Sequence, residues 1–203
     1  LWIRYMALHL SLADIDAARA VAERALKAIN FRLEDEKYNV FVAYLNLEHD
    51  FGDDNSLNKV FKRAIQESKG KYLHLNLADV YEESENLKGA EDMYNKALKK
   101  YKYSKKVWMA FQHFCLRHDR ADQAKSLLAR SMQSLSRHKH IEVLQKYALA
   151  EFDVGSIDRG RVVFEELISS YPKRTDLLHI YVDKETKMGY IPQARHLFKR
   201  MCS

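Results

Sequence analysis

The stretch KALKKYKYSKKVW, Lys96 to Trp108, places six lysines, two tyrosines and a tryptophan side by side with no acidic residue. Ammonium groups bind phosphate as point charges and aromatic rings stack on bases, so this mixture has the chemistry of a nucleic-acid strip or an acidic-partner contact. SRHKH at 136–140 and PKR at 172–174 add Arg137, Lys139, Lys173 and Arg174 to the basic set. Two further groups have reactive side chains. Glu48, Glu82, Glu151 and Glu185 recur along the chain, and paired carboxylates serve as general acid and base. His113, Cys115, His118, His138 and His140 carry the nitrogen and sulfur donors that suit zinc. What each group does depends on the elements that position it.

Among 203 residues, 47% hydrophobic, there are only six glycines and two prolines. So little punctuation disfavours a many-stranded β fold and predicts long helices. The formal net charge of +6 is modest for a chain with well-solvated helix faces. Cys115 and Cys202 lie far apart without metal-site spacing, which predicts a reducing compartment rather than a disulfide scaffold. No run approaches eighteen apolar residues and no signal peptide opens the chain, so no membrane contact is expected. The chain opens on LWIRY and closes on FKRMCS, both helix-like, and lacks an initiator Met; the expectation is a piece of a longer protein.

An internal repeat organises everything else. A large apolar residue, another three positions on, and a pair at six and seven recur from Trp2, Phe41, Leu75, Trp108, Leu144 and Leu178, at intervals of 39, 34, 33, 36 and 34. That spacing lines one helical stripe. A second pattern follows 15 or 16 residues later: ARAVAERAL from Ala18, LNKVFKRAI from Leu57, AEDMYNKAL from Ala90, AKSLLARSM from Ala124, GRVVFEELI from Gly160 and ARHLFKRMC from Ala194. Its usually small first residue permits close helix approach. Each unit is therefore an antiparallel hairpin, helix A then helix B, with repeats at about 1–30, 38–68, 72–102, 105–135, 141–171 and 175–203. Hairpins of this kind bury their apolar faces only by stacking, which predicts an all-α, right-handed α-solenoid.

Eleven residues after each start lie Ala13, Gly52, Asn86, Asp119, Gly155 and Gly189, five of six being types that accept the left-handed conformation of a helix end. Asp122, Asp158 and Pro192 suit the first turn of helix B. Turns inside the repeats sum to −6 and turns between them to +8. Helix dipoles account for the sign of each edge, but not for five of the eight positive charges falling at Lys99, Lys100, Lys102, Lys105 and Lys106. Such an edge suits RNA phosphates or an acidic protein tail.

The repeat decides the other two groups. Glutamates at one repeat position read as bonds to a neighbouring helix rather than a catalytic pair. Cys115 stands in that same position, and the histidines lack ligand spacing, so they read as structural or solvated. Trp2, Trp108 and the aligned tyrosines fall on the inward stripe and read as core. With no GxxxxGK[ST], HExxH or glycine-rich phosphate loop, no enzyme, cofactor, metal or small-molecule substrate is expected.

FVAYLNLE (41–48) with VFKRA (60–64), and YALAEF (147–152) with GRVVFEELISSYP (160–172), resemble the half-a-tetratricopeptide, or HAT, repeat of RNA-processing complexes. More closely, AARAVAERALKAINFRLEDEKYNVFVAYLNLE (17–48), LHLNLADVYEESE (73–85) and YPKRTDLLHIYVD (171–183) resemble the C-terminal region of the ribosomal RNA processing protein 5 family, also called programmed cell death protein 11. Leu178 departs from that family's tryptophan. The resemblance implies a non-catalytic scaffold of the nucleolus, acting in pre-rRNA processing. Its implied partners are small-subunit processome components and an RNA helicase, with pre-rRNA a further candidate. Two alternatives stand beside it: a HAT scaffold of pre-mRNA splicing or 3′-end processing, and a module that itself binds RNA.

Overall fold

The computed structural model describes residues 1–30 and 32–202. Ser203, where the last predicted repeat ends, lies outside the described residues, as do the side chains of Met201 and Cys202. Twelve α-helices and one short 3₁₀ turn make up the secondary structure of the described residues. They divide into two compact units, Leu1–Lys100 and Tyr101–Ser203. The first holds α1 (Trp2–Ser11), α2 (Ile15–Ala28), α3 (Glu34–Phe51), α4 (Asp54–Glu67), α5 (Gly70–Glu83) and α6 (Leu87–Lys100). The second holds α7 (Lys105–Arg117), α8 (Ala121–Ser134), the 3₁₀ turn Arg137–Lys139, α9 (His140–Val154), α10 (Ile157–Ser170), α11 (Thr175–Lys187) and α12 (Ile191–Cys202). Odd and even helices pair as hairpins, and within each unit the odd helices also pack on one another, α1 on α3, α3 on α5 and α7 on α9. This is the all-α solenoid arrangement that the periodicity predicts.

The small residues opening helix B set the approach. Ala18, Ala90 and Ala124 are fully buried, and a Cβ on Gly160 would come within 2.6 Å of the Phe152 ring and 3.0 Å of the Ala148 carbonyl. Behind that contact, Phe164 and Tyr181 stack with ring centroids 4.8 Å apart, 4° from parallel. Leu178 and Leu197 complete the cluster, each side chain contributing roughly 1.5–3 kcal/mol by leaving water. Trp108 is buried as expected, its indole N–H donating to the Lys102 carbonyl at 2.7 Å. The first stripe differs: Tyr5 and Leu8 are 39% and 53% exposed, the principal packing partners of α1 being α2 and α3.

Two kinds of turn join helix A to helix B. In four hairpins the turn has three residues, the middle one left-handed: Ala13 (φ 57°), Glu85 (φ 60°), Asp119 (φ 55°) and Gly189 (φ 83°). Each closes with paired bonds back into the helix, such as Asp14 N–H to His9 O and Ala13 N–H to Leu10 O, the Schellman pattern. Expectation and structure part at four positions. Ala13, the type least suited, is left-handed. Glu85 takes that conformation rather than Asn86, which instead caps α6 by accepting from Gly89 N–H at 2.9 Å. Gly52 and Gly155 are not left-handed at all, with φ of −99° and −110°. Their hairpins have two-residue turns, and a Cβ there would lie 2.3 Å and 2.2 Å from the carboxylates of Glu48 and Glu151. These glycines make room for a buried charge.

Candidate partner-binding surface

Three of the four recurrent glutamates, Glu48, Glu151 and Glu185, are latches. Glu48, near the end of α3, is 2% exposed and receives Arg19 of α2 in two bonds, Nε to Oε1 at 2.8 Å and Nη2 to Oε2 at 3.1 Å. The Ser56 hydroxyl donates to it at 2.6 Å, so one carboxylate ties the end of one hairpin to both helices of the next. Burial raises the Glu48 pKa, but the bonds from Arg19 and Ser56 outweigh it and hold the carboxyl below its usual range. Glu185 of α11, fully buried, repeats the geometry with Arg161 of α10 at 2.7 Å and 2.9 Å. Glu151 is also fully buried but is satisfied within its own hairpin, by Arg159 Nε at 3.1 Å, Tyr147 O–H at 2.8 Å and Ser156 N–H at 3.0 Å. These carboxylates are committed to arginine and to hydrogen bonds, as expected from their single repeat position.

A second rung links successive B helices. Arg63 of α4 grips Glu23 of α2 at 2.8 Å and 2.9 Å, and Arg200 of α12 grips Glu165 of α10 at 3.0 Å. Glu23 and Glu165 hold the sixth place of the helix B pattern, Arg63 and Arg200 the seventh. Sequence reasoning missed both rungs and both latching arginines. The available signal was the second-place arginine of ARAV and GRVV, one repeat before a matched glutamate.

The basic candidates distribute over the turns between repeats. Lys99 and Lys100 end α6, exposed. In the second unit, Lys102 lies over the Tyr103 ring at 4.9 Å, Tyr103 is 65% exposed, and Lys139 donates to the Tyr103 carbonyl at 3.2 Å. That bond brings the 101–104 turn beside the 137–139 turn, so Lys102, Lys139 and the sequence neighbours Lys106 and Arg137 share one edge. Lys105 is ion-paired with Glu142. Arg174 is held in a fork by Asp176, at 2.8 Å and 2.7 Å, beside exposed Lys173. The units differ in charge: residues 1–100 carry 15 basic and 17 acidic side chains, residues 101–203 carry 19 and 11.

The histidines do not converge. His113 bonds Arg117 at 2.7 Å and the His140 ring bonds the Leu135 carbonyl at 2.8 Å. Among the described residues no group of three or more His, Cys, Asp or Glu could hold a metal ion, and no helix is long and apolar enough to cross a membrane.

Helical hairpins of about 34 residues, latched by buried carboxylates and presenting charged turns, define a HAT- or tetratricopeptide-like repeat module. No family model matches the chain. A human "Protein RRP5 homolog" is 43% identical over 99% of the chain. The "rRNA biogenesis protein RRP5" of Arabidopsis thaliana is 44% identical over 100%, and that of Schizosaccharomyces pombe 41% over 99%. A more distant relative, the "Pre-mRNA-splicing factor cwf4" of Schizosaccharomyces pombe, is 26% identical over 91%. The chain belongs to the RRP5 family as a repeat module of it, and spans 11–12% of the length of those RRP5 relatives.

Proposed function

We propose that this chain is a non-catalytic scaffold module in ribosomal RNA biogenesis, holding assembly factors of the small-subunit processome, a helicase among them, in the nucleolus. The observation that carries this reading is identity of 41–44% along the whole chain to RRP5 proteins of animal, plant and fungal origin. The structure supplies a physical reason for a binding role: stacked hairpins expose long grooves and turn edges, while the carboxylates that resemble acid–base machinery are spent on latches. Its test is to express the tagged chain and fractionate extracts. Co-sedimentation with particles containing small-subunit pre-rRNA is expected, and co-sedimentation with spliceosomal particles would favour the reading suggested by the splicing-factor relative at 26% identity.

The basic edge of the second unit is the proposed contact for pre-rRNA phosphates. Lys102, Lys106, Arg137 and Lys139 form its centre, with Lys173 as a further contributor; Lys99 and Lys100, at the end of the first unit, are separate candidate contacts. Lys105 and Arg174 contribute less, since Glu142 and Asp176 already engage them. Binding to structured pre-rRNA is expected to fall steeply with salt, and the slope to flatten by about one for each lost contact in alanine variants of Lys102, Lys106, Arg137 and Lys139. No binding at low salt assigns the edge to an acidic protein segment instead.

A further inference from the structure

The junction between the fourth and fifth repeats lacks both rungs that close the junction after it. Lys125 occupies the place that Arg161 holds in α10, but Glu151, its expected counterpart, is taken by Arg159. In the repeat pattern Ala129 holds the place of Glu165 and Glu166 the place of Arg200, so neither half of the second rung is present. Lys125 and Glu166 are exposed and make no hydrogen bond or ion pair among the described residues. Between α8 and α10 an open groove of about 340 Å³ remains, floored by Leu128, Val162 and Val163. Val162 is 57% exposed, an apolar side chain presented at the middle of the groove.

The groove has a polarity. Lys125, unpaired among the described residues, stands at one end, where Arg159 is balanced by Glu151 and Asp158 on the rim is drawn off by Arg161 at 3.3 Å. Glu166 stands at the other, seven residues along α10, a separation of roughly 10 Å. We propose that this groove docks a short amphipathic helix of a protein partner. Its acidic residue meets Lys125, a large apolar residue covers Leu128 and Val162, and a basic residue two turns on meets Glu166. Apolar contact at the centre supplies affinity and the opposed charges fix direction. The proposal rests on the scaffold reading and gives it a place and a partner chemistry.

The test uses the 203-residue chain and a fluorescein-labelled helical peptide of about 16 residues, with Glu, Leu and Lys at positions i, i+3 and i+7 in an Ala/Gln background. Fluorescence anisotropy is expected to show saturable binding, about tenfold tighter than for the peptide with Glu and Lys exchanged. Lys125→Glu is expected to erase that preference, and Val162→Glu, at an exposed position, to abolish binding with the helical melt unchanged. Ala129→Glu with Glu166→Arg installs the missing rung, and binding is expected to weaken by about tenfold or more. Equal binding of both peptides, binding insensitive to Val162→Glu, or no binding up to about 1 mM would overturn the proposal. Displacement of the peptide by an RNA oligonucleotide, or self-association of the chain that Val162→Glu abolishes, would overturn it in favour of those occupants. Peptide binding of the expected polarity supports the groove whether or not the chain co-sediments with pre-ribosomal particles, so the two readings fail separately.

Discussion

The two units are built from the same hairpin but spend their charges differently. In the first, residues 1–100, acidic side chains outnumber basic ones by two, and the junction between its first two hairpins carries both rungs, Arg19 to Glu48 and Glu23 to Arg63. In the second, basic side chains outnumber acidic ones by eight; its last junction carries both rungs, and its first carries neither. Charge in these repeats therefore has two destinations. Where Arg19 and Arg161 meet Glu48 and Glu185 they fix hairpin to hairpin, and where the partner is missing, as at Lys125, the cation is left at the surface for something else.

The largest effects should come from cutting a latch. Arg161→Ala strands Glu185 in a fully buried site, and a loss of about 3–5 kcal/mol is expected, read as a lower urea midpoint for the second unit. Arg19→Ala is expected to do the same to the first unit, somewhat less because Ser56 still donates to Glu48. Arg159→Ala should cost about 1–3 kcal/mol, since Glu151 keeps bonds from Tyr147 and Ser156. If Arg159→Ala proves as damaging as Arg161→Ala, the contrast between latches within and between hairpins is lost.

Acid should sharpen the comparison. The Glu48 pKa is depressed, so its contribution is complete above the ordinary carboxyl range and is lost as pH falls through the depressed value. An Arg19→Ala chain should lose that dependence. His74 acts earlier. Burial against Phe61 at 4.9 Å pushes its pKa below 6.5, only partly opposed by the Gly70 carbonyl at 2.6 Å. The unfolded chain then binds the proton first, so the first unit should lose stability as pH falls from about 6.5 toward the depressed value. His74→Phe should flatten that limb of a midpoint-against-pH curve. Smallest of all, Lys125→Ala should change stability by less than about 0.5 kcal/mol, because it makes no ion pair among the described residues. A larger loss would mean that the first junction of the second unit is latched after all.

The helical hairpins were legible because their signal is local: apolar spacing, small residues opening helix B and scarce Gly and Pro. The glutamate position was legible as structural because it recurs. Its partners were not, since Arg19 and Arg161 lie 29 and 24 residues from the carboxylates they hold, and only the stacking of hairpins brings them near. Gly52 and Gly155 misled for a related reason. A glycine at a helix end is ordinarily there for its backbone, whereas these two are there for lack of a Cβ beside a buried carboxylate. Whether an exposed lysine is committed or available was likewise hidden, as Lys105 and Lys102 look alike in the sequence but only Lys105 meets a carboxylate.

The two classes of turn also decide where the chain tolerates change in length. A three-residue turn such as that around Asp119 closes on its own backbone, so added residues can loop outward with little beyond chain entropy to oppose them. At Gly52 and Gly155 the turn backbone and the following helix both lean on a buried carboxylate, and any insertion must draw that charge out of its bonds. Epitope tags or fluorescent domains meant to report on this module belong at the 118–120 turn, and the turns at 52–53 and 155–156 should be left at their native length.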